Sequence, residues 1–278
     1  METVFTIPIP SSTFTSEGTF ICTTPVSTTE EEDSNTYLLT FTSPPDNRLT
    51  PSFIDTFLLA LDIIEHRLSR GVVITTSGIT KFYSNGVDLE IAQQNPHEYL
   101  ERYLWRLFRR YPMPTLALIN GHAFAGGLVL AMFHDYRIQN PTRGFLCMNE
   151  LEFGMALLPP MVSVFREKIS PQAFRSLALE AKRFAGQEAL EAGIVDAVGS
   201  GVDEAIGFIR ERDLCGKAST GVYGDMKEEM YRETLGLLDD HEGSNAWREG
   251  IEERKNAMRE EAEERVMKWE RERGKAKL

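Results

Sequence analysis

The sequence predicts an α/β protein built from repeated strand-strand-helix units and followed by a helical C-terminal region. Three observations carry that prediction. Short β-branched or aromatic runs alternate with helical apolar patterns along the first 198 residues, and the stretch LALINGHAFAGGLV (Leu116 to Val129) passes from a buried strand to a buried helix through glycines. From Gly201 onward the chain becomes a series of charged, Glu/Arg/Lys-rich helical patterns. The expected division is a core over residues 1–199, with the stretch up to about residue 18 as an irregular extension, and a region over 200–278 that serves packing or oligomerisation.

The elements follow in order. Phe20 to Thr23 and Tyr37 to Phe41 read as strands joined by the acidic, Ser/Thr-rich loop Ser27 to Asn35. Pro44, Pro45, Asp46 and Asn47 make a turn, after which Thr50 is the expected N-cap and Pro51 the first helical residue. Phe53, Phe57, Leu58, Leu61 and Ile64 then recur at helical spacing, so this helix should lay one face on the core. Gly71 to Thr76 reads as a buried strand, and the loop FYSNGVDLE (Phe82 to Glu90) leads to a helical region. There Arg102, Arg106 and Arg110 form a basic stripe that suits a solvated face better than ligand phosphates. Leu116 to Ile119 and Tyr136 to Ile138 are strands, with a helix from Leu128 to Phe133 between them. Pro171 to Leu179 and Gln187 to Ala192 are helical, and Gly193 stops the second before the strand-like Ile194 to Val198. Ala205 to Arg212, Lys227 to Leu238 and Ala246 to Arg273 are the charged helices; the last carries a sparse apolar stripe of Ile251, Met258, Val266 and Trp269.

Composition narrows the function. The chain has 278 residues, 42% hydrophobic and 26% charged, which describes a globular protein, and no apolar run is long enough to span a bilayer. A formal net charge of −12 argues against general nucleic-acid binding. Cys22, Cys147 and Cys215 are few and odd in number, which fits a reducing compartment better than a disulfide framework. The sequence has no CxxC or HExxH pattern, so no metal site is expected. Glu2, Pro8 and Pro10 argue against a signal or transit peptide, whereas Ala276, Lys277 and Leu278 are close to the Ser-Lys-Leu peroxisomal address.

Two stretches carry chemistry. A helix that opens on Gly126 and Gly127 would present unpaired N–H groups at its positive end, suited to negative charge on a carbonyl oxygen; close packing is the alternative. In FLCMNELEFGMALLPP (Phe145 to Pro160), Glu150 and Glu152 sit among apolar residues, where burial would raise a carboxyl pKa and make a general base. The alternative is exposure on one face of a strand. His122, beside the glycines, reads as a packing residue, and Asp88 as a loop or helix-start residue.

SNGVDL (Ser84 to Leu89), INGHAFAGGLVLA (Ile119 to Ala131), DYRI (Asp135 to Ile138), NELEFGM (Asn149 to Met155) and AGIVDAV (Ala192 to Val198) together resemble the enoyl-CoA hydratase/isomerase, or crotonase, superfamily, in its order and approximate spacing. The resemblance covers roughly Tyr37 to Val198. It implies a crotonase-type spiral with a helical C-terminal part, commonly a homotrimer or hexamer, and an acyl-CoA thioester substrate. It also implies an oxyanion hole from the backbone N–H groups of Val87 and Gly126, with Ser84, Asn85, Gly86, Asp88 and Gly127 around the substrate.

Hydratases of the family carry a glutamate two residues beyond the double glycine and a second one later. Here the first position is Val129, and the second is Glu150 if the intervening turn shifts by one residue, with Glu152 in reserve. A single carboxylate implies a delta(3)-delta(2)-enoyl-CoA isomerase of fatty-acid oxidation in which Glu150 is catalytic. No metal or redox cofactor is implied, CoA being part of the substrate. Ala276 to Leu278 would then address the protein to the peroxisomal matrix through the import receptor. Two other readings remain: another crotonase-type enzyme, such as a hydrolase or weak hydratase, or a non-catalytic CoA-ester-binding subunit, suggested by Val129 and Leu157 to Pro160.

Overall fold

A computed structural model describes residues 1–11, 15–25, 35–87 and 111–275. Most of the acidic loop after Thr24, Asp88, the arginine stripe at 102, 106 and 110, and Ala276 to Leu278 lie outside the described residues. The chain divides into two compact units, Met1–Leu235 and Gly236–Leu278.

The first unit is built on two sheets. The strands are β1 (Glu2–Ile9), β2 (Gly18–Thr24), β3 (Thr36–Thr42), β4 (Val72–Ser77), β5 (Phe82–Ser84), β6 (Thr115–Ile119), β7 (His122–Phe124), β8 (Tyr136–Gln139), β9 (Leu146–Cys147) and β10 (Ala197–Val198). A seven-stranded sheet runs in the order β1-β2-β3-β4-β6-β8-β10, and a three-stranded sheet in the order β5-β7-β9. From β3 to β10 every large-sheet pairing is parallel, as are both pairings in the small sheet. Each repeat therefore gives its first strand to the large sheet (β4, β6, β8) and its second to the small one (β5, β7, β9). The expected α/β spiral of strand-strand-helix units is the fold observed.

Parallel strands need both faces covered, and period-two alternation supplies two apolar faces. One face presents Leu38, Val72, Ile74, Leu116, Leu118 and Ile138 to Ala205, Phe208, Ile209 and Leu214, the last four from helices Val202–Glu211 and Leu214–Ser219. On another side of the core, helix α1 (Pro51–Arg67) contributes Phe53, which meets Phe20 and Phe41, and Phe57, which meets Phe20, with ring centroids 5.0 to 5.4 Å apart. Tyr83 meets Phe41 edge-on at 5.2 Å. Helix α1 starts as expected, since Thr50 accepts a hydrogen bond from Phe53 N at 3.2 Å and Pro51 opens the first turn.

Three expectations are corrected. Residues 2–9 are an ordered strand rather than an irregular extension: β1 pairs antiparallel with β2, Phe5, Ile7 and Ile9 alternate inward, and Pro8 is tolerated on an edge strand. The strand expected over 194–198 is only Ala197–Val198, because Ile194 and Val195 are buried in the turn whose Asp196 pairs with Arg137 at 2.9 Å. The single helix expected over 227–238 is two, Tyr223–Met230 and Arg232–Asp239.

The second unit is dominated by one helix, His241–Lys275, with the ion pairs Lys255–Glu252 and Arg265–Glu261 along it. Met258, Val266 and Trp269 of its sparse stripe are exposed. No described helix is long and apolar enough to cross a membrane.

Removing the α1 cap tests this account of the first core. Thr50→Ala should lower unfolding free energy by about 1 kcal/mol in a denaturant titration while leaving the circular dichroism spectrum native; an unchanged midpoint would show that the cap contributes nothing.

Candidate active site

The three strands of the small sheet run parallel and side by side, so the segments leaving their C-terminal ends are neighbours. Crevices at such ends are where α/β sheets bind ligands. Beyond β5 comes the loop Asn85-Gly86-Val87, beyond β7 the start of helix α2 (Gly126–Phe133), and beyond β9 Met148-Asn149-Glu150. Ala125 N donates to Cys147 O at 2.9 Å, and three residues of chain reach at most about 10 Å, which keeps Glu150 near the start of α2.

The first two segments touch. A Cβ placed on Gly126 would lie 3.2 Å from Val87 N, and one placed on Gly86 would lie 3.1 Å from Gly126 N and 2.9 Å from Phe124 O. Both positions therefore require glycine, and Gly86 in addition has φ +86°. Neither Val87 N nor Gly126 N donates to an acceptor among the described residues. Helix α2 starts after Ala125, itself at φ 49°, and is wholly buried. Two free amides thus converge beside the positive end of a buried helix.

Glu150 opens a short 3-10 helix, Glu150–Phe153, that closes on left-handed Gly154. One of its carboxylate oxygens, Oε2, is buried and has no hydrogen-bond partner among the described residues. Burial pushes the carboxyl up to about 7 from an ordinary 4.5; a hydrogen bond from its own backbone N–H, which favours the ionised form, offsets this only in part. Glu150 lines a pocket of about 640 Å³ with Met148, Met155, Leu157, Val162 and Phe174. Further lining comes from the helices α3 (Pro159–Lys168) and α4 (Pro171–Glu180). Glu152 is exposed and faces Arg183 at 4.0 Å. The two carboxylates that spacing alone left interchangeable are thus distinguished by environment.

Residues 31–211 match the family described as enoyl-CoA hydratase/isomerase. The chain is 33% identical over 226 residues to Enoyl-CoA delta isomerase 2, peroxisomal, of Arabidopsis thaliana, which spans 76% of this chain and 94% of that one. It is 35% identical over 216 residues to Enoyl-CoA delta isomerase 1, peroxisomal, of the same plant, covering 74% and 90%. Among solved structures, an enoyl-CoA hydratase/isomerase family protein from Pseudomonas syringae superposes with a TM-score of 0.64 at 25% identity, covering 74% of this chain and 90% of that chain. The chain belongs to the enoyl-CoA hydratase/isomerase family.

Within this family member, the other residues expected at the site are placed as follows. Ser84 is fully buried and donates to Asn47 O at 2.8 Å, while Asn85 donates through Nδ2 to Asp46 Oδ2 at 2.7 Å. Gly127 abuts the backbone of Ser84, where a Cβ would lie 2.3 Å from the carbonyl oxygen. Asp88 is outside the described residues. Val129 is buried in α2 at 1% exposure, so this family member has an apolar side chain there. His122 accepts from Phe145 N at 3.1 Å and packs against Phe82, Phe124 and Phe145, with its pKa lowered mainly by desolvation, as the packing reading expects. Sequence reasoning missed Asn47, which it placed only in a turn. An asparagine after Pro-Pro-Asp could have marked a left-handed position, and its φ is 53°.

The shifted carboxyl makes a stability prediction. Its folded pKa is raised, so the native state keeps a proton that the unfolded chain releases near 4.5, and native stability falls as pH rises from there to about 7. Glu150→Gln, which cannot ionise, should match the parent below that window and exceed it by roughly 1–3 kcal/mol at pH 8. A constant difference across pH 4 to 8 would show that the carboxyl is solvated.

Proposed function

We propose that this protein is a delta(3)-delta(2)-enoyl-CoA isomerase in which Glu150 carries a proton from C2 to C4 of a 3-enoyl-CoA. The observation that carries this reading is a desolvated carboxylate whose Oε2 has no hydrogen-bond partner among the described residues, on the segment that follows β9, the strand paired with the one that leads into Gly126. The relatives named enoyl-CoA delta isomerases support the same reaction class.

The ionised Glu150 takes the C2 proton, and the C2–H electron pair forms a C1–C2 double bond conjugated with C3–C4. Charge collects on the thioester oxygen, where Val87 N–H and Gly126 N–H stabilise it; one such donor is worth about 10²- to 10³-fold in rate. Protonated Glu150 then returns the proton to C4, leaving the double bond at C2–C3. One group that takes and gives the same proton suffices, and a carboxyl poised near 7 suits both halves of the exchange. The apolar pocket would hold the acyl chain and keep water from the dienolate. Buried Val129 offers no second carboxylate to activate water, which favours isomerisation over hydration. No step as written requires a metal or redox cofactor; CoA enters as part of the substrate.

The names of both plant relatives, together with Ala276, Lys277 and Leu278, favour the peroxisomal matrix and import by the receptor that reads such tripeptides.

With 3-hexenoyl-CoA, 2-hexenoyl-CoA and hexanoyl-CoA assayed side by side, the first should be converted mostly to the second, the second should be neither hydrated nor hydrolysed, and the third should be unchanged. The kcat/KM should rise with pH to a plateau above about 7, as the base form accumulates. Glu150→Gln should lose at least about 10³-fold in kcat yet still bind the acyl-CoA. Hydration of the 2-enoyl ester, or full activity of the variant, would overturn the reading. A fluorescent fusion lacking residues 276–278 should remain cytosolic, and punctate import of that fusion would refute the address.

A further inference from the structure

We infer that Asn47 and Ser84, through the turn at residues 46–49, are the positioning residues that aim the Val87 amide at the thioester oxygen. The inference rests on the isomerase reading above and adds residues that touch neither substrate nor reacting atoms.

The geometry is a chain of main-chain clamps. Asn85 N donates to Asp46 O at 3.0 Å, and Leu49 N donates to Gly86 O at 2.9 Å. Ser84 Oγ donates to Asn47 O at 2.8 Å and accepts from Gly86 N at 3.2 Å. Each of the three residues before Val87 is thereby held by the turn. The last clamp fixes a direction: a peptide group is planar and trans, so the Val87 N–H points opposite to the Gly86 C=O that faces Leu49. Holding that carbonyl toward Leu49 turns the amide the other way.

Asn47 makes the turn rigid. It is fully buried, and all its polar groups are used. Its N–H donates to Ser43 O at 2.8 Å, and its Oδ1 accepts from Ser43 N at 2.7 Å. Nδ2 donates to Ser77 Oγ at 2.6 Å and Tyr83 O at 3.1 Å, with Phe82 O at 3.3 Å. One side chain therefore ties the turn after β3, the end of β4 and strand β5 together. An amide is the group that fits, because a carboxylate could not donate to those carbonyls and a shorter side chain would not reach both strands.

Asn47→Gly keeps the left-handed backbone and removes only the side chain; Ser84→Ala removes one hydroxyl and is the milder change. Both should lower kcat on 3-hexenoyl-CoA by about 10- to 100-fold, the effect of misplacing a reacting contact by roughly 1 Å, while KM and the affinity for saturated hexanoyl-CoA stay near the parent values. Glu150→Gln is measured in parallel. If kcat per folded molecule in both variants is the parent's and only the melting temperature falls, these residues are structural and the inference is wrong. A loss confined to KM would overturn it as well. Should Asn47→Gly fail to fold, Ser84→Ala decides alone. If Glu150→Gln keeps full turnover, the isomerase reading itself fails and takes this inference with it; an inactive Glu150→Gln beside a fully active Ser84→Ala overturns the inference alone.

Discussion

A carboxylate oxygen kept in an apolar pocket with no hydrogen-bond partner among the described residues is a costly feature that the rest of the fold must offset. In water Glu150 would ionise near its ordinary value; here desolvation holds the proton to about 7. The penalty must be borne by packing elsewhere. The aromatic cluster of Phe20, Phe41, Phe53, Phe57 and Tyr83 and the opposite apolar layer of Val72, Ile74, Leu116 and Leu118 supply such packing. The site therefore sits beside a core large enough to tolerate a locally unfavourable group, which is the usual relation between active-site strain and scaffold stability.

Alternation of strands between two sheets is what turns that core into a site. The large sheet provides bulk, and its central strands β3, β4 and β6 are buried. The small sheet has only three short strands, yet each places one residue of the candidate site within three residues of its end: Val87 after β5, Gly126 after β7 and Glu150 after β9. Parallel pairing is necessary for this. If one strand of the small sheet were reversed, its following segment would leave from the other end of the crevice.

The sequence made the spiral legible because its signals are local. Thr50-Pro51 caps α1, period-two apolar runs mark the strands, and Gly126-Gly127 marks the close approach to Val87. The family motifs placed the candidate residues in order. What could not be read was environment. Glu150 and Glu152 are two residues apart in the same apolar stretch, and only the 3-10 turn sends one into the pocket and the other toward Arg183. Asn47 was invisible as a functional residue because its partners, Ser77, Phe82 and Tyr83, are 30 to 36 positions away in sequence. Strand β1 was hidden by Pro8, whose missing donor matters little on an edge strand but would have broken a central one.

Helix α2 adds the last constraint, because an amide is a good electrostatic donor only if it does not reorient when charge develops. Eight buried residues alone would not ensure that; the pinning is at the helix's far end. His134, which ends α2, donates through Nδ1 to Leu130 O, which leaves Nε2 to accept from Thr75 Oγ1 at 2.9 Å, and Thr75 in turn accepts from Tyr83 OH at 2.9 Å. The His134 carbonyl also accepts from Lys168 Nζ at 2.6 Å and Arg137 Nη1 at 3.1 Å. Burial lowers the His134 pKa to about 3, so the neutral tautomer required by this chain persists at any pH at which the enzyme would work. Tyr83 immediately precedes Ser84, so the buried relay links the helix that carries one free amide to the strand that leads to the other. Lys168 belongs to α3, a wall of the pocket that holds Glu150, which brings that wall onto the same anchor. Both amides and the pocket wall are thus referred to a common buried point on the side of the helix away from the chemistry.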